Sequence, residues 1–321
     1  MQFDRRAFLG LLTASTTVVA TPLRAAARQL DVVATILMIA DAARQIGGDL
    51  GAVKALMGVG VDPHSYRQSR SDIVALTRAD LVLRHGLYLE AQMEEFLLNL
   101  TQHNTVVSVG EAPPVDQRTN HASYQYRYDP HVWMSPSIWT HVVRAVAQAL
   151  CDAAPDHTSI FVTNAKAHLA DILRLDTYAH EKIATIPQAE RVLVTAHDAF
   201  GYFGRAYGVE VIGIQGISTE SEAGLNRIGT LVNMLTQRNI CSVFVETSVS
   251  DRNIRALIEG AAAQGHMVTI GGELYSDAMG IEGSYEGTYL AMLDHNITTI
   301  TRALGGDAPD RGMDGKLMAG S

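Results

Sequence analysis

Cysteine is scarce in this chain of 321 residues, which has two, Cys151 and Cys241. Two thiols cannot build a disulfide framework, nor a zinc site of four thiolates. Basic charge is also in short supply: 25 Lys and Arg stand against 34 Asp and Glu, a net charge of −9. A nucleic-acid binder needs a basic face to neutralise phosphates, so that class is set aside. No stretch after the first 27 residues has the length of a transmembrane helix. H-E-x-x-H, G-x-S-x-G and a glycine-rich phosphate loop are missing too. With 47% hydrophobic and 18% charged residues the chain is not a disordered one, and it is long enough to bury a large core.

What is present begins with a leader. Arg5-Arg6 precede Phe8-Leu9, a weakly apolar run continues to Ala20, and Ala25-Ala26-Ala27 offers a small-residue cleavage site. This reads as an export signal of the twin-arginine kind over residues 1–27. Its removal takes three arginines and one aspartate, moving the charge from −9 to about −11. No cysteine stands near the cleavage site, so the expectation is a soluble periplasmic protein with no lipid anchor there. Cys151 and Cys241 fall in different halves and are expected as two buried thiols.

Short β-branched runs then alternate with helical periodicity. Strands are predicted over 30–36, 52–57, 80–83 and 105–109, with helices over 39–46, 71–79, 89–100 and 137–153. Residues 111–128 are polar and read as a loop. The alternation restarts with strands over 191–195, 210–214, 242–246 and 267–270 and helices over 199–207, 223–238, 251–264 and 286–304. Such alternation implies parallel βαβ units. Between the halves, residues 157–186 contain no Pro or Gly, and Phe161, Ala165, Leu169, Ile172, Leu175, Ala179 and Ile183 mark one helix face. His168 and His180 are placed on its polar side. A helix of that length spans roughly 42 Å. The expected architecture is α/β: two lobes with parallel sheets flanked by helices, joined by a single long rigid α-helix. The lobes are set at 28–156 and 187–321.

Histidine supplies the chemistry. Asp-Pro-His occurs twice, at Asp62-Pro63-His64 and Asp129-Pro130-His131; proline fixes the backbone and Asp suits an Asx turn. His197 follows the first strand of the second half, and Asp277 follows its last. In open parallel sheets, ligands bind beyond the carboxyl ends of strands, so two candidates from each lobe face one cleft. Three imidazoles and a carboxylate suit a divalent transition metal rather than Mg2+ or Ca2+. The other nine histidines show no such context. Neutral imidazoles are required, so affinity is expected to fall below about pH 6. Glu220, Glu222 and Asp198 are the candidates for orienting the imidazoles.

At these residues the sequence resembles the metal-binding solute-binding proteins of bacterial ABC importers, of the TroA and ZnuA type. Asp62-Pro63-His64-Ser65-Tyr66, Asp129-Pro130-His131-Val132-Trp133, His197-Asp198-Ala199-Phe200-Gly201, Gly216-Ile217-Ser218-Thr219-Glu220 and Leu274-Tyr275-Ser276-Asp277 carry the likeness in order. The resemblance implies two α/β lobes on one long helix and metal ligands at His64, His131, His197 and Asp277. It also implies transported Zn2+ or Mn2+ and an ABC permease transmembrane subunit as partner; a monomer is expected. His197, where manganese-specific members have Glu, and the fourth ligand Asp277 place the chain nearest the TroA-like subgroup. The long His-rich loop of many zinc-specific members is missing, since residues 111–128 hold only His121. Zn2+ is expected to bind above Mn2+ by the Irving–Williams order. The rivals are a zinc-dependent hydrolase, a binder of a metal chelate of the siderophore or cobalamin class, and a surface adhesin. A hydrolase needs an open metal position, which four protein ligands would fill.

Overall fold

The computed structural model describes residues 28–120, 127–221 and 223–318. The leader, His121 and Glu222 lie outside the described residues. The N-terminal half lays down β1 (Leu30–Ala34), α1 (Leu37–Gly47), β2 (Gly51–Ala55), α2 (Arg70–Arg78), β3 (Leu81–Arg84), α3 (Glu94–Leu100), β4 (Val106–Ser108) and α4 (Pro136–Ala153). Its four strands form one parallel sheet in the order β2-β1-β3-β4. β3 is buried at all four positions, as a parallel strand covered on both faces must be. α2 opens one residue earlier than the Ser71-Asp72 pair suggests. Ser69 caps it: its Oγ accepts from the Asp72 N–H, and the Asp72 carboxylate accepts from the Ser69 N–H at 2.8 Å. The predicted helix over 89–100 is shorter, because Leu87 and Tyr88 take left-handed φ of 53° and 65° and a single 3-10 turn follows before α3.

α5 (Thr158–Ile183) is unbroken for 26 residues, about 39 Å at 1.5 Å each. It packs on α1 and α4 behind it and on α6 and α9 ahead of it. The buried stripe is wider than one helix face, because neighbours press from several sides. His168 is therefore buried, at 5% exposure, in the field of Asp41 on α1, which corrects its placement on the polar side; His180 is exposed as expected.

The C-terminal half contains β5 (Val192–Thr195), α6 (Gly201–Tyr207), β6 (Glu210–Gly213), α7 (Leu225–Arg238), β7 (Ser242–Glu246), α8 (Arg252–Ala263), β8 (Thr269–Leu274) and α9 (Tyr289–Ala303). β5 pairs with β6 and β7 with β8, both in parallel, and β5 lies beside β7. β8 runs four residues past the predicted end, through Gly271-Gly272. Those glycines are strand residues because α9 comes so close: a Cβ on Gly272 would lie 2.3 Å from the Thr299 methyl. Cys241 is exposed and Cys151 half-buried, both free, so the expectation of two buried thiols fails for Cys241, which lies at the start of β7.

One apolar core runs from the N-terminal sheet through α5 into α6 and α9. A smaller one lies among β5, β7, α7 and α8. Buried polar bonds stitch the halves together. Trp133 Nε1 donates to Ser276 O at 2.8 Å, Tyr289 OH donates to Trp133 O at 2.8 Å, and Trp139 stacks on Tyr289.

Candidate metal centre

Both Asp-Pro-His segments fold as Asx turns. Asp62 Oδ1 accepts the His64 N–H at 2.9 Å, and Asp129 Oδ1 accepts the His131 N–H at the same distance. The aspartates then differ. Asp129 Oδ1 also accepts from His131 Nδ1 at 2.7 Å, which fixes the tautomer and leaves Nε2 bare. His197, two residues beyond β5, is held by Glu246 at the end of β7. Its N–H donates to Glu246 Oε1 at 2.9 Å and its Nδ1 to Oε2 at 2.5 Å. Asp277 leaves β8 on a loop clamped by the buried Asn296 of α9, whose Oδ1 accepts the Tyr275 N–H and whose Nδ2 donates to Tyr275 O.

The four side chains meet at one point. Their candidate donor atoms all lie within 4.8 Å of one another, and none of the four residues is more than 2% exposed. His64 Nε2 is 3.2 Å from His131 Nε2, His131 Nε2 is 3.4 Å from Asp277 Oδ1, and His197 Nε2 is 3.2 Å from Asp277 Oδ2. A tetrahedron with bonds of about 2.0–2.1 Å has edges of about 3.3 Å, so the pocket is already at coordination size. His197 Nε2 and Asp277 Oδ1 have no hydrogen-bond partner. Donor atoms packed this closely in a buried space need positive charge between them, from protons or from a metal ion.

Proton affinities follow from the surroundings. Burial, with smaller help from the neighbouring imidazoles, drives His64 down to about 3. Burial would lower His131 as well, but Asp129 and then Asp277 override it and raise it to about 9. Glu246 and Asp277 likewise outweigh burial and hold His197 well above its ordinary value. Asp277 is held well below the usual carboxylate range, its burial outweighed by His197 and His131.

The groups that orient the imidazoles are thus Asp129 and Glu246, and not the expected Glu220 or Asp198. Glu220 is exposed and accepts from Gln92 across the cleft, and Asp198 is half-buried with its N–H on Gly216 O. His85 also contributes: buried, it donates from Nε2 to Pro130 O at 2.7 Å and so braces the turn that presents His131. Glu90 locks that brace, accepting from the His85 and Gly86 N–H groups and from Thr35 Oγ1. His85 directly follows β3 and Glu246 ends β7, the one signal that marks them in the sequence.

The chain was also compared with known proteins. The family model described as zinc-uptake complex component A, periplasmic, matches residues 32–303. The manganese-binding lipoprotein MntA of Bacillus subtilis (strain 168) is 48% identical over 281 residues, covering 88% of this chain and 92% of that protein. The zinc-binding protein TroA of Treponema pallidum (strain Nichols) is 44% identical over 296 residues, covering 92% and 96%. The solved structure of the periplasmic zinc-binding protein TroA from Treponema pallidum superposes with a TM-score of 0.84 at 45% identity, covering 86% of this chain and 99% of that one.

Proposed function

The chain belongs to the family of periplasmic zinc-uptake components, and from that premise we propose that it captures a divalent transition metal, Zn2+ or Mn2+, between its lobes and delivers it to the transmembrane subunit of an ABC permease. The observation that carries this reading is the convergence of three imidazoles and one carboxylate, buried, two from each half of the chain, at the spacing of a coordination shell. His64, His131, His197 and Asp277 are its ligands. The metal is cargo, and the activity is binding rather than catalysis: four protein donors surround the ion and leave a tetrahedral centre no position for an attacking water.

Zn2+ is the better-bound ion, since three nitrogen donors favour it over Mn2+. Both Asp277 oxygens face imidazoles, at 3.2 and 3.4 Å, so a carboxylate sharing both of them can also serve Mn2+, which prefers more oxygen. A chelate is disfavoured, since a ligand of that size needs a cavity of about 300 Å³ or more. The chambers bordering His64 and Asp62 measure about 10 and 160 Å³.

The protein acts as a monomer in the periplasm after cleavage near Ala27. MntA is named a lipoprotein, whereas the first cysteine of this chain is Cys151. Among the described residues no helix is long and apolar enough to cross a membrane. The mass of the exported protein tests this location: a lipid adduct would overturn it.

Competition titrations of His64→Ala, His131→Ala, His197→Ala and Asp277→Ala against a zinc chelator test the ligand set. Each should weaken Zn2+ binding by more than the roughly 10–100-fold that losing an outer partner costs. Unchanged affinity in all four would overturn it. Elemental analysis of protein taken from its native periplasm decides which metal is carried.

A further inference from the structure

The four donors are closed off, none more than 2% exposed, so an ion can enter or leave only where a wall gives way. Two chambers are lined by a ligand or by residues that touch one. The first is lined by His64, Leu87, Ala91, Pro130 and Ile217 among others and has room for about 10 Å³. That is the space of a single water at most. Its lining is largely apolar, and Arg127 stands over the Tyr88 ring at its edge. A hydrated divalent cation finds there no room for its waters and few acceptors for their protons.

The second chamber measures about 160 Å³ and is polar, with Asp62, Gln215, Thr219, Ser248, Arg252 and Asn253 in its wall. Two of these touch the ligand groups directly. Asp62 Oδ1 holds the His64 N–H, and Ser248 Oγ lies 3.5 Å from Asp277 Oδ2. Gln215 is buried to 93%, and its Oε1 has no protein partner. Gln215 borders both this chamber and a wider, open one of about 730 Å³, and a buried carbonyl without a donor is an acceptor that an incoming hydrated ion can use. Among the described residues its one carboxylate, Asp62, is opposed by one cation, Arg252, so the chamber passes a charge without trapping it. One bond spans its wall between the lobes: Thr219 Oγ1 donates to Asp62 Oδ2 at 2.5 Å.

We propose that this chamber is the entry and exit route of the metal, in which the aquo ion is held through its coordinated waters by Gln215 and the neighbouring hydroxyls before it is stripped onto the four ligands. The Asp62–Thr219 bond is its door.

The inference rests on the proposed metal site, and its test separates the two. Equilibrium titration of the unmodified protein with Co2+, followed by visible absorption, tests the site alone. Stopped-flow mixing with Co2+ and an EDTA chase then test the route. A residue that lines a route changes entry and exit in proportion and leaves Kd unchanged. Gln215→Leu should slow both rates about tenfold, the loss of one buried acceptor. Thr219→Val should speed both, while Thr219→Ser, which keeps the hydroxyl, should behave as the unmodified protein. Ala91→Leu, which narrows the small chamber, should change neither. The route is overturned if Gln215→Leu leaves both rates unaltered, if it shifts Kd through the exit rate alone, or if Ala91→Leu is the variant that slows exchange. Failure of Co2+ to bind the unmodified protein would overturn the site itself.

Discussion

At the scale of single residues the centre is a problem of proton bookkeeping. In the metal-free protein His131 and His197 are raised by the carboxylates that orient them, whereas His64 stays neutral because it is buried with no carboxylate on its ring. A metal must displace those protons. Zn2+ affinity is therefore expected to keep rising with pH to at least about 9, the value for His131, above the range of an ordinary imidazole. For stability of the metal-free protein the sign is opposite. Between pH 6.5 and about 9 the folded state holds a proton on His131 that the unfolded chain has lost, so stability is full below 6.5 and declines toward 9. Calorimetry of the metal-free protein at pH 6.5 and 9 should show the lower Tm at pH 9, and titration calorimetry in paired buffers should show proton release on Zn2+ binding. Glu246→Gln keeps the shape but removes the charge behind His197. It should weaken Zn2+ by about 10–100-fold and lower the pH at which affinity levels off. An unaltered pH profile would mean that Glu246 serves packing alone.

At the scale of elements, what was legible was local. Alternating β-branched runs and helical stripes located all eight strands, and the absence of Pro and Gly located α5. The four proposed ligands were legible because two of them repeat Asp-Pro-His and two follow strands of the second half. What could not be read depended on distant contacts. Glu246 is 49 residues from the His197 it orients, and nothing near either one records the pairing. Gly271-Gly272 looks like a turn, and only the approach of α9 explains why glycine continues β8. That approach has a measurable cost. In Gly272→Ala the new methyl would meet Thr299 Cγ2 at 2.3 Å, so β8 or α9 must shift, for about 1–3 kcal/mol of stability. Thr299→Ser removes that methyl and should restore most of the loss in the double variant. Urea midpoints of the four proteins measure the coupling, and additive single effects would place the strain elsewhere.

At the scale of the molecule, the two α/β halves could have folded independently, yet their packing opposes it. The larger core passes through α5 from the N-terminal sheet into α6 and α9. Trp133 and Tyr289 are buried across the boundary and spend their polar hydrogens there. Separating the halves would exchange those bonds for bonds to water, at about 0.5–1.5 kcal/mol each, besides exposing the apolar contact. The halves are therefore expected to unfold together, in a single calorimetric transition with or without metal. Zn2+ held at a hundredfold excess over its Kd should move that whole transition upward, by the equivalent of about 2.7 kcal/mol at room temperature. An ion bound by one half would instead leave two transitions, only one of which responds. That result would contradict both the shared core and the assignment of ligands from both halves, because an ion that draws on His64 and His131 as well as His197 and Asp277 must stabilise the two together.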